Sequence, residues 1–190
     1  MDKLLRPLNE LRKITLYHGS KDGSINSFSL DVGRPDVDFG RGVYFTTKLQ
    51  QAIDWSVKHA DCGYVYVCEF DPEDLKILEY RKNCDDFAEI IHLCRIDLEE
   101  LAWDFIEVFE QADGVYGCLV DGRKPHLEEL ANQYNEGDIP FSTFYEELDA
   151  ILYTSDKDQL CIKTIAGLQK ITIREIIQTT KPSKKVLSRK

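Results

Sequence analysis

No apolar stretch of the 190-residue sequence approaches the ~18 residues that a membrane-crossing helix requires. The N-terminus, Met1 to Pro7, also lacks the apolar core and small-residue cleavage site of a secretory leader, so the expected location is cytoplasmic. No Cys-x-x-Cys pair occurs among Cys62, Cys68, Cys84, Cys94, Cys118 and Cys161, and no histidine stands at zinc-finger spacing from two of them. The chain is therefore expected to hold no metal and no disulfide. Cys68, Cys118 and Cys161 lie inside apolar runs, where a free thiol behaves as a small core residue. A Cys–His nucleophile pair brought together by the fold stays open, although the spacing does not favour it. Positive charge is in deficit, with 24 Lys and Arg against 34 Asp and Glu, a net charge of −10. The last ten residues, 181–190, hold five bases and no acid, which leaves −15 on the body before them. A body this acidic repels phosphate backbones, so nucleic-acid partners are disfavoured, and the basic end reads as a mobile tail.

Internal repeats, low-complexity tracts and linkers are also missing, and 43% apolar and 11% aromatic content describe a folded chain. Residues 1–180 are expected to form one domain. Strands are expected at Ile14–His18, Gly42–Thr46, Tyr64–Phe70, Val115–Val120, Leu160–Thr164 and Ile171–Ile177, the last as strand or short helix. Leu75–Tyr80 reads as a short edge strand or as the start of a connection. Thr47 and Gln50 have capping-box spacing before a helix with Leu49, Ala52, Ile53, Ser56 and Ala60 on one face. Residues 85–111, 124–133 and 140–151 read as helices, the first with a solvated acidic face. The mix is α+β, with strands at both ends and helices between.

Two short runs concentrate the residues that can carry chemistry. Leu16-Tyr17-His18-Gly19-Ser20 closes a strand on an imidazole beside a glycine, and Gly40-Arg41-Gly42-Val43-Tyr44-Phe45 delivers a phenol ring after two glycines. Together they frame a slot for a flat polar ring, with glycine backbone open to close approach. Arg34 and Arg41 bracket the connecting loop and are placed to hold phosphates, or equally to lie on the surface. Trp55, eleven residues after Tyr44, either covers the opposite side of such a ring or packs at the helix–sheet boundary. Gln159 heads a late apolar strand, where its amide can both donate and accept toward a hydroxyl.

In this order the runs resemble the PARP-like, or diphtheria-toxin-like, ADP-ribosyltransferases. That family carries His in a Leu-x-His-Gly-Ser/Thr strand, Tyr in a Gly-x-Gly-Ile/Val-Tyr-Phe strand, and a later Glu or substitute opening another strand. The sequence is most similar to a group of small bacterial PARP-like proteins that share the block seen here at Asp38–Thr47. They also share a Gln-Ala-x-x-Trp helix, here Gln51 to Trp55, and a late Gln strand, here Gln159. The resemblance implies an ADP-ribosyltransferase-like split antiparallel sheet with flanking and inserted helices. It implies NAD as the substrate, bound by His18, Gly19, Ser20, Arg34, Arg41, Gly42, Tyr44 and Trp55. His18 would bond a ribose hydroxyl, the Gly19 backbone would grip the carboxamide, and Tyr44 would stack on the nicotinamide. Gln159 would hold the nicotinamide-ribose 2′-hydroxyl, so the implied catalytic set is His18, Tyr44 and Gln159.

The implied activity is mono-ADP-ribosyl transfer to a macromolecular acceptor with release of nicotinamide, in the manner of a bacterial toxin with a neutralising partner. Gln159 departs from the family's glutamate, whose charge would stabilise the developing sugar cation by several kcal/mol. Polymer elongation is therefore not expected. Three alternatives stay open: a weak or inactive NAD- or ADP-ribose-binding module of the same fold, an NAD glycohydrolase, and phosphate transfer from RNA. Asp158 is expected on the strand face opposite Gln159. The family's helix serine falls near Gln51 or Ala52 and is missing. Lys157 stands where arginine-modifying relatives carry an acid, which argues against an arginine acceptor. Tyr153 would mark the acceptor-facing loop.

Overall fold

β-Branched and aromatic residues in alternation build the longest strands of the chain. A computed structural model of the protein describes residues 12–33, 37–80, 103–119, 124–153 and 156–181. β1 (Ile14–Ser20) pairs antiparallel with β3 (Cys62–Phe70), in register from Ile14 against Phe70 to Ser20 against Tyr64. The other edge of β3 pairs antiparallel with β7 (Ile171–Thr180), closing a three-stranded sheet. A second sheet has the order β2 (Val43–Phe45), β6 (Asp158–Ile162), β5 (Gly114–Cys118), β4 (Ile77–Glu79). Its pairs are antiparallel except β4 with β5.

Helices fill the connections. α1 (Leu49–Ser56) follows β2, and α2 (Trp103–Glu110) precedes β5. α3 (Lys124–Asn135) and α4 (Phe141–Tyr153) stand between β5 and β6, and α5 (Ile165–Gln169) leads into β7. The fold is thus α+β with helices inserted in the middle, as the sequence pattern indicates. All five residues of β6 are buried, which marks a central strand covered on both faces. Strand alternation sends Leu160 and Ile162 to a core with Leu16, Phe45, Tyr66 and Phe70. Cys161 goes to a second core with Phe39, Phe109, Val115, Leu130 and Phe144. Burying each large side chain contributes roughly 1.5–3 kcal/mol, so the sheet carrying β6 is anchored from both sides.

Several expectations shift in detail. Thr47 is not the cap of α1: Lys48 occupies that position without a side-chain bond, and the Lys48 N–H donates to Thr46 Oγ1 at 3.1 Å. The Thr47 hydroxyl instead donates to Asp158. α1 stops at Ser56, and its buried residues are Ala52 and Ser56, while Leu49 is exposed. β7 extends to Thr180, and β6 begins two residues earlier than expected. Cys68 and Cys161 are buried free thiols, and burial pushes both up to about 12; Cys118 is half-buried and Cys62 exposed. Cys84, Cys94, the expected helical start at 85–102 and the tail 182–190 lie outside the described residues.

Candidate functional site

The two sheets touch through a bridge pair, Tyr17 and Thr46, which exchange backbone hydrogen bonds of 2.8 and 2.9 Å. An antiparallel ladder continued from that pair would next join Gly19 to Tyr44. Here the Tyr44 carbonyl instead accepts from His18 Nδ1 at 2.7 Å. The imidazole therefore stands where the ladder stops, and it satisfies a carbonyl that the split would otherwise orphan. Phe28 meets the ring edge-on with centroids 5.1 Å apart, and Phe45 and Tyr66 stand at 5.6 and 6.2 Å. Because a carbonyl only accepts, Nδ1 carries the proton and Nε2 keeps its lone pair. Burial lowers the His18 pKa, with the Tyr44 carbonyl pulling the other way, so the neutral form is favoured.

Past the bridge the strands diverge around a cavity of about 390 Å³. His18, Gly19, Tyr44, Trp55, Asp38 and Gln159 are among the residues lining it. That volume falls within the range of small-molecule sites. Tyr44 is held rigidly: its hydroxyl donates to the Gly40 carbonyl at 2.7 Å and accepts from the Phe39 N–H at 3.0 Å. Its ring packs against the Phe39–Cys161 core while lining the cavity. Burial, with Cys161 and Asp38 nearby, raises the phenol pKa, so this hydroxyl stays protonated. Trp55 is 44% exposed at the cavity, with Lys58 Nζ 4.2 Å from its ring centroid, rather than packed away at the helix–sheet boundary. Val32, 82% exposed, also lines the cavity and adds apolar surface there.

Gln159 is 4% exposed and projects between two acceptors. Its Nε2 donates to Asp38 Oδ2 at 2.6 Å and to the Cys118 carbonyl at 3.0 Å. Both amide hydrogens are thereby used, and Oε1 accepts no hydrogen bond from the described residues. The sequence pattern allows this amide to donate and accept toward a ligand; in the fold it offers a ligand an acceptor alone. Asp38, 2% exposed, is a site residue to which the sequence pattern assigns no role. Its one sequence signal is that it opens the Asp38–Thr47 block.

The neighbouring residue on β6 faces the other way, as expected. Asp158 accepts from Thr46 Oγ1 at 2.5 Å, the Thr47 N–H at 3.0 Å, the Thr47 hydroxyl and Tyr116 Oη at 3.1 Å. Gln51 brackets the Asp158 backbone, donating to its carbonyl at 2.7 Å and accepting from its N–H at 3.2 Å. Gln51 therefore holds β6 against α1 while lining the cavity.

Two glycines owe their presence to packing as much as to a ligand. A Cβ on Gly19 would strike the Ala52 carbonyl of α1, and one on Gly42 would strike Cys161 Sγ and the Ile162 carbonyl. Gly19 still serves the cavity with its backbone. Alternation from Tyr17, which bonds Thr46, turns the Gly19 N–H and C=O toward the crevice. Ser20 is outside the cavity lining, and its Oγ accepts from the Asp22 N–H at 3.1 Å. Arg41 is exposed and outside the lining as well. Arg34 and the Tyr153 side chain lie outside the described residues, while Lys157 is exposed just ahead of β6. Among the described residues no group of three or more His, Cys, Asp or Glu is placed to hold a metal ion.

A family model described as "Protein of unknown function (DUF3990)" matches residues 14–173, from the start of β1 into β7. The chain belongs to that family. No curated protein matches it significantly. The matched span of this DUF3990 chain takes in β1 to β6, the start of β7 and every described residue that lines the cavity.

Proposed function

We propose that this chain is a mono-ADP-ribosyltransferase that takes ADP-ribose from NAD to a macromolecular acceptor and releases nicotinamide. The observation that carries the reading is the set of groups left unused where β1 and β2 part. Gly19 turns a backbone donor and acceptor to the same side, the pairing a carboxamide requires. Tyr44, locked through its hydroxyl, supplies an aromatic wall for a flat ring, and Trp55 stands exposed at the same cavity. His18 Nε2 and Gln159 Oε1 are acceptors in a lining that is otherwise largely apolar, and a ribose carries hydroxyl donors for both. Two sheets that meet at one bridge pair and are flanked and interrupted by helices are compatible with the split-sheet ADP-ribosyltransferase fold.

In this reading nicotinamide leaves through an oxocarbenium-like state and an acceptor nucleophile takes its place on the sugar. Neutral Gln159 orients the ribose, and single transfer follows instead of elongation. An NAD- or ADP-ribose-binding module without turnover is the second reading, favoured by the lack of a carboxylate at position 159. Among the described residues no helix is long and apolar enough to cross a membrane. Incubation with labelled NAD and a cell lysate tests the proposal, with Tyr44→Ala as the control. Label transfer or nicotinamide release by the wild type and not by the variant is expected. Equal, background-level signals from both, with NAD binding retained in calorimetry, would select the binding module instead.

A further inference from the structure

We infer that Asp38 is a positioning residue that fixes the Gln159 amide and polarises it, so that a neutral side chain presents a strengthened acceptor to a ligand hydroxyl. The inference rests on the nucleotide reading above and adds the partner on which Gln159 depends. Both neighbours of Gln159 Nε2, the Asp38 carboxylate at 2.6 Å and the Cys118 carbonyl at 3.0 Å, can only accept. Flipping the amide would set Oε1 against two acceptors, so the observed orientation is locked. The contact to Asp38 is short, as bonds from an N–H to an ionised carboxylate are, and such bonds are stronger than neutral ones. Donation to a carboxylate shifts electron density toward Oε1, and burial of both side chains keeps water from screening the effect.

Two consequences follow from the lock. The ligand group facing Gln159 must be a donor, which a ribose hydroxyl is and a phosphate or carbonyl oxygen is not. Gln159→Glu by itself is not a route to a stronger enzyme, because it sets two carboxylates against each other at the distance of one hydrogen bond. A pair so placed holds a proton between them and loses the geometry of the neutral amide. The exchange Asp38→Asn with Gln159→Glu restores a donor at 38 and rebuilds that one contact in reverse, while the Cys118 carbonyl is left facing a carboxylate oxygen.

Calorimetry on the full chain tests this with NAD and its analogue lacking the nicotinamide-ribose 2′-hydroxyl. The wild type should prefer NAD by about tenfold, the order of one good hydrogen bond. In Asp38→Asn the carboxylate that polarises the amide is gone and only the Cys118 carbonyl still favours the observed orientation, so the preference should fall to within about twofold, whereas plain structural damage would weaken both ligands alike. Gln159→Glu should bind NAD more weakly than the wild type at pH 7, and the double variant should bind it more tightly than Gln159→Glu does. Undiminished discrimination by Asp38→Asn, or Gln159→Glu matching the double variant, would overturn the inference. If the wild type binds neither ligand, the nucleotide reading falls and the inference with it. Should Asp38→Asn fail to fold, the pH profile of Gln159→Glu decides. Its melting temperature relative to wild type should rise as pH falls from 7 to 5, and a flat difference would reject the pairing.

Discussion

Replacing His18 by asparagine and by alanine separates two roles that one imidazole combines. Nδ1–H donates to the Tyr44 carbonyl and closes the end of the β1–β2 pairing, while Nε2 remains as an acceptor at the cavity. Asparagine places an amide N–H close to where Nδ1 stands and offers nothing at the position of Nε2. Alanine removes both groups and the ring. Loss of the donor leaves a part-buried carbonyl unsatisfied, at a cost of about 1–3 kcal/mol. Loss of the ring removes the edge-on contact to Phe28 and the tilted contacts to Phe45 and Tyr66. Aromatic contacts of this kind contribute about 0.5–1.5 kcal/mol each, and an imidazole in partial contact belongs at the lower end. His18→Ala should therefore cost about 3 kcal/mol and His18→Asn about 1–1.5 kcal/mol, the difference being the carbonyl bond. At about 2–4 °C per kcal/mol for a chain of this size, thermal melts would place the alanine variant about 6–12 °C below wild type. The asparagine variant should fall about 2–6 °C. Both should bind NAD about tenfold more weakly, since both lack Nε2. An asparagine variant as unstable as alanine would refute the bridging role, and one that binds NAD like wild type would refute the acceptor role.

Asp158→Ala should destabilise the fold by about 3–5 kcal/mol, because it strips the acceptor from two threonine hydroxyls, a backbone N–H and a phenol in a largely buried setting; urea denaturation measures it, and a loss under 1 kcal/mol would contradict the tie. Stability should also fall on acidification for a reason traceable to His18. Its folded pKa lies below the unfolded value of 6.5, so the unfolded chain binds the extra proton first. The contribution is complete above pH 6.5 and declines as pH drops through 6.5 toward the folded value. His18→Asn should show a shallower decline over that window, and identical slopes for the two proteins would remove His18 from the effect.

The parts of the site that were legible in the sequence are those whose logic is local. His18 and Tyr44 end up at one cavity because each lies in a short strand with a glycine one or two residues away, and short strands of β-branched and aromatic residues announce themselves. Trp55 follows from its place on the helix that must return after β2. Asp38 and Gln159 are 121 residues apart in the chain, and no periodicity links a loop aspartate to a strand glutamine. Only the folded arrangement of β6 beside the loop ahead of β2 makes the pair. Thr47 shows the opposite failure, in which a valid local rule loses to a distant partner. Its hydroxyl fits a helix cap by spacing, yet a buried carboxylate from β6 binds it instead. The glycines misled in a milder way. A missing side chain suggests openness to a ligand, whereas at Gly19 and Gly42 that space is filled by α1 and β6.

The order Asp158-Gln159 makes the ligand face of β6 dependent on its structural face. Alternation requires adjacent residues to point apart, so a strand that shows Gln159 to the cavity must show residue 158 to the start of α1. There the Asp158 carboxylate holds Thr46 and Thr47, and Thr46 is the residue that bridges to Tyr17 of β1. The next residue of β1 is His18. The two cavity acceptors, Gln159 Oε1 and His18 Nε2, are thus connected through Asp158, Thr46 and Tyr17 by consecutive covalent and hydrogen-bonded steps. Their separation is set by this chain and not by a contact between them. Gln51 reinforces the same node by clamping both backbone polar groups of residue 158. A ligand that must satisfy both acceptors at once reads the spacing directly, so loosening the node should weaken binding under conditions where the domain remains folded.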